Sequence, residues 1–142
     1  MALTMKPIED AILTRLRTLP QEFYDTEVPD GVTPPVSGTL VKPYGVVYFG
    51  GPVRTGTDRH LTSSRNDTNT GFCTVQLVAQ RPEDVRSVAD RVITLMTGYI
   101  PPDAGEMTLA GSMGYSSARN ETGPTMYYRE IGFTYLCNLV WA

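Results

Sequence analysis

His60, the chain's only histidine, lies within "GGPVRTGTDRHLTSSRNDTNTG" (residues 50–71), beside Asp58, Ser63, Ser64 and Asp67. These are the residue types of a hydrolytic triad: a hydroxyl nucleophile, an imidazole base and a carboxylate to orient it. All of them crowd into one polar stretch, however, with no nucleophile elbow and no rigid element to fix their geometry. Asp58, His60 and Asp67 also offer two carboxylates and an imidazole to a metal, but their spacing follows no metal-ligand rhythm. Gly51 to Gly56 repeats the glycine spacing of a phosphate-binding loop. Thr57 and Asp58 then stand where that motif requires Lys followed by Ser or Thr, so the principal phosphate charge is missing. Glu83 and Asp84 pair two acids, and the dipole of a helix N-terminus explains them without catalysis. The residues therefore predict no catalytic group, no metal ligand and no cofactor site.

What remains in this stretch is charge and length. Residues 50–81 hold four arginines (Arg54, Arg59, Arg65, Arg81) against Asp58 and Asp67, a balance of +2. Nucleic-acid binding gains from aromatic rings interleaved with such charge, and residues 50–71 contain none. A structureless link this long is usually functional or disordered. Contact with another protein is the functional option, with Arg54, Arg59, His60 and Arg65 as its polar participants. Arginine suits that role because its planar fork pairs with carboxylates. Glu22, Asp25, Glu27 and Asp30 form an acidic run that could receive it on a neighbouring copy.

The surrounding elements follow from periodicity. Ile8, Ala11, Ile12, Leu16 and Leu19 predict a helix from about Thr4 to Leu19, with Pro7, Glu9 and Asp10 suiting its first turn and Pro20 stopping it. A proline-rich connector, Pro29 to Pro43, admits at most an edge strand. "YGVVYF" (44–49) is apolar on both parities and predicts a strand covered on both faces. "FCTVQLVAQ" alternates Cys73, Val75, Leu77 and Ala79 with polar residues, the pattern of a strand with one wet face. "RPEDVRSVADRVITLMTG" is a helix with Pro82 in its first turn, Gly98 at its end and a buried stripe of Val85, Val88, Ala89, Val92 and Met96. "EMTLAGSMGY" places Met107, Leu109, Met113 and Tyr115 on one parity. "TMYYREIGFTYLCNLVWA" does the same for Tyr127, Ile131, Phe133, Tyr135, Cys137, Leu139 and Trp141. Those eighteen residues as one strand would reach about 60 Å, so Gly132 is expected to mark a bend or bulge. The last two strands read as an antiparallel hairpin.

The order α-β-β-α-β-β predicts a single α+β domain: a mainly antiparallel sheet with two amphipathic helices packed on one face and a long polar loop at residues 50–71. A chain of 142 residues, 41% hydrophobic and 19% charged, is long enough for a real core. Its net charge of −3 argues against a dedicated nucleic-acid binder. The start, "MALTMKPIEDAILTRLRTLP", reads as neither a signal peptide nor a membrane span. Cys73 and Cys137 make no disulfide framework and no zinc spacing, so reduced thiols in a cytoplasmic compartment are expected.

From "PIEDAILTRLRTLP" to "GFTYLCNLVW" the chain resembles the tail terminator proteins of long-tailed, non-contractile bacteriophages. Three features carry the resemblance: an amphipathic first helix before a proline-broken strand region; the strand-to-helix join "TVQLVAQRPEDVRSVADRVITLM"; and a closing hairpin near the C-terminus. The resemblance implies a non-enzymatic structural protein of the virion tail, assembled in the host cytoplasm as a homo-oligomeric ring of about six subunits. Such a ring caps the head-proximal end of the tail tube and stops its polymerisation. It contacts the major tail tube protein and a head–tail connector or stopper protein, and lets DNA pass without sequence-specific binding; no membrane is involved. Another neck component (a stopper or tail-completion protein) and a small-molecule-binding α+β domain are the competing readings.

Overall fold

Pro7 and Pro82 open the two helices, each in the first turn, where a missing N–H costs no helical hydrogen bond. The computed structural model describes residues 5–28, 36–37, 40–54, 66–112, 116–118 and 125–140. Helix α1 spans Lys6–Leu16 and buries Ile8, Ile12, Leu13 and Leu16. It is shorter at both ends than its sequence pattern predicts, because Thr18 and Leu19 already turn with i→i−3 bonds to Arg15 and Leu16. Helix α2 spans Pro82–Met96 and buries Val85, Val88, Ala89, Val92 and Met96, the stripe its periodicity predicts. Arg81, held extended before Pro82, sets its start.

The strands are β1 (Glu22–Asp25), β2 (Val36–Ser37), β3 (Leu40–Val41), β4 (Tyr44–Arg54), β5 (Asn66–Ala79), β6 (Thr108–Ser112), β7 (Ser116–Ala118) and β8 (Met126–Val140). The main sheet runs β1-β4-β5-β8-β6, with β7 also paired to β8; β2 and β3 form a separate small hairpin. Only β1 with β4 is parallel; the other pairs are antiparallel. The architecture is thus the expected α+β one, with both helices on one face of a mostly antiparallel sheet.

Three local expectations need correction. The polar loop is shorter than residues 50–71: β4 continues through Arg54 and β5 begins at Asn66, still paired as Arg54↔Asn69. The glycines there do not end the strand. They form a bulge between Gly50 and Val53, with Gly51 at φ 84°, where a side chain would be strained. Gly132 does not break β8, which pairs with all of β5 without interruption; the irregularity falls opposite it in β6, between Leu109 and Gly111. Finally, β1 precedes the proline-rich connector. Three of its four residues are acidic or Tyr, so no apolar alternation announced it.

Side chains of one parity meet the helices. Phe23, Val47, Cys73, Val75, Leu77, Ala79, Ile131, Phe133, Tyr135 and Cys137 form one core with α1 and α2. Arg15 on α1 clamps the end of α2: its Nε donates to the Leu95 carbonyl at 3.2 Å, and its guanidinium lies 4.5 Å from the centre of the Tyr99 ring. Helix α2 has no basic residue in its own last turn, so Arg15 supplies the cation that the helix C-terminus favours.

The tightest core contact is between strands. A Cβ built on Gly71 would collide with the Tyr135 ring. Gly71→Ala is therefore expected to lower stability by about 2–3 kcal/mol, as overpacking against a fixed ring does; urea denaturation checks it. The buried thiols make a second prediction. Burial, with a smaller contribution from Glu9, pushes the Cys73 thiol from 9.0 up to about 12. Burial raises Cys137 and Tyr135 as well. In each case the folded state holds the proton more tightly than the unfolded state. The resulting stability is whole below pH 9 and is lost as pH rises toward about 12. Denaturation midpoints should fall across that window, and at pH 8 a thiol reagent should label Cys73 only as fast as the protein unfolds.

Candidate interaction surface

On the sheet face away from the helices, the register places side chains in rows. Glu22, Tyr44, Val78 and Tyr128 form one row across β1, β4, β5 and β8. Tyr24, Val46, Gln76 and Glu130 form the next. Tyr48, Thr74 and Gly132 follow, then Gly50, Phe72 and Thr134, with Thr70 and Leu136 beyond. Four of the eight tyrosines therefore share this face. Val46 and Val78, at 6% and 3% exposure, sit among them, outside the helix-side core.

The tyrosines touch. The Tyr24 and Tyr44 rings meet edge to face, centres 5.9 Å apart at 75°, the arrangement in which a ring's positive edge meets a negative face. Burial first, then Tyr128 and Tyr24, raises the Tyr44 phenol above its ordinary value. Tyr48 donates from its hydroxyl to Gln76 Oε1 at 3.4 Å, while its ring stays 41% exposed. The strand "YGVVYF" buries Gly45 and Val47 on the helix side, with Phe49 partly buried, and on this side buries Val46 while Tyr48 stays exposed. Phe72 and Leu136 are exposed too, Leu136 to 53%. Below them Thr70, Gly105, Glu106, Thr108, Thr134 and Leu136 line a hollow of about 310 Å³, mostly apolar at its walls and half open to solvent.

Acidic side chains gather at the β1 edge. Glu22, Asp25 and Glu27 are exposed, and Asp10 stands in an i,i+4 ion pair with Lys6 at 2.6 Å. Burial first, then Asp25 and Asp10, raises the Glu9 carboxyl. Three carboxylates from α1 and the β1 end therefore share one corner. Asp30, the remaining acid of the run, lies outside the described residues.

Of the contact residues expected from the sequence, only Arg54 falls within the described residues. Arg54 ends β4, in register with Asn69, and Arg59, His60 and Arg65 lie outside the described residues. Among the described residues, no three His, Cys, Asp or Glu side chains converge to hold a metal. No described helix is long and apolar enough to cross a membrane. The tyrosine face was the feature the sequence reading missed. Its signal was present in the even positions Tyr44, Val46, Tyr48 and Val78, Tyr128, which share a parity opposite to the core.

The exposed rings should contribute unequally to folding. Tyr24→Ala removes the edge-to-face contact and is expected to cost about 1 kcal/mol. Tyr48→Ala, at a side chain nearly half exposed, should cost less than about 0.5 kcal/mol. Urea denaturation of the two variants distinguishes rings that hold the fold from rings left on display.

No family model and no curated protein matches the chain. Among solved structures, a chain of the virion of native gene transfer agent (GTA) particle has the same fold, with a TM-score of 0.56 at 15% identity over 94% of this chain and 96% of that one. At that identity, what the two chains share is their architecture.

Proposed function

We propose that this chain is a structural virion protein, the tail terminator of a long-tailed, non-contractile phage-type particle. In this reading about six copies close a ring on the head-proximal end of the tail tube. The ring stops tube polymerisation and offers its other side to a head–tail connector or stopper protein. The observation that carries the reading is the fold match to a virion chain, which covers 94% of this chain and 96% of that one. The sequence resemblance narrows it from virion protein to terminator.

The surface is compatible with that work. A ring of identical subunits needs two different, mutually complementary patches on each copy. One candidate is the acidic β1 corner; the other is the arginine-bearing stretch Arg54, Arg59, His60 and Arg65. A net charge of −3 also suits a conduit for DNA, since a channel lined mainly with Lys and Arg would hold the polymer passing through it. On this reading the protein makes and breaks no covalent bond.

The purified chain, imaged in negative stain and weighed by native mass spectrometry, is expected to form closed rings of about six copies. Added to polymerised tail tube protein, it should cap one end and halt growth. Particles made without it should carry overlong tails. Tails of normal length without heads would instead assign the chain to a stopper or tail-completion protein. A monomer that never associates and binds a small metabolite would overturn the virion reading.

A further inference from the structure

No further inference is drawn: the strongest candidate, the exposed apolar patch of Tyr48, Phe72 and Leu136 on the sheet face away from the helices, together with the hollow beside Leu136, has nothing in the structure to show what covers it.

Discussion

The unbroken pairing of β5 with β8 fixes everything else in the molecule. All 14 residues of β5 are in register with β8, from Asn66↔Val140 to Ala79↔Tyr127. Because side chains alternate, a slip of β8 by one residue against β5 would turn Ile131 and Phe133 to solvent and put Glu130 and Thr134 under the helices. Tyr135 over Gly71 guards against that slip. Gly71 is the one glycine of β5, it pairs directly with Tyr135, and a side chain there would meet the ring. A sheet of this kind is specified locally by alternation and globally by one knob that fits one hole.

With the register set, the two faces meet different fates. Helices α1 and α2 seal one face with a continuous apolar core, and the Arg15 clamp on Leu95 and Tyr99 keeps the helices together. On the other face Tyr24, Tyr44, Tyr48 and Tyr128 share rows with Val46 and Val78, which are buried there. Tyrosine suits such a place because its ring is apolar while its hydroxyl can bond a neighbour, as Tyr48 does Gln76. The face is consequently stable in water yet rich in rigid rings, which order little on binding and so cost little entropy there.

How much of this could be read in the sequence follows from which signals are local. Helix α2 was legible down to its five buried residues, because proline, acids, a 3.6-residue stripe and a terminal glycine agree. The core parity of β5 and β8 was legible for the same reason. The second parity was not. Tyr44, Val46 and Tyr48 were read as a strand covered on both sides, whereas coverage depends on whether a second layer exists, a tertiary fact. Strand β1 was missed because "EFYD" has one core residue and its pairing partner lies twenty residues away, in parallel. The ends of β4 and β5 were missed because polar residues in a hairpin that extends past the helical layer alternate with nothing apolar to mark them.

The sheet's two edges are defended differently. Strand β1 is short, carries Glu22 and Asp25, and ends at Thr26 in a left-handed turn with φ 68°, all devices that keep another strand from adding there. Strand β6, "TLAGS", is exposed along its length and carries neither charge nor proline; among the described residues its bulge opposite Gly132 is the one such device it has.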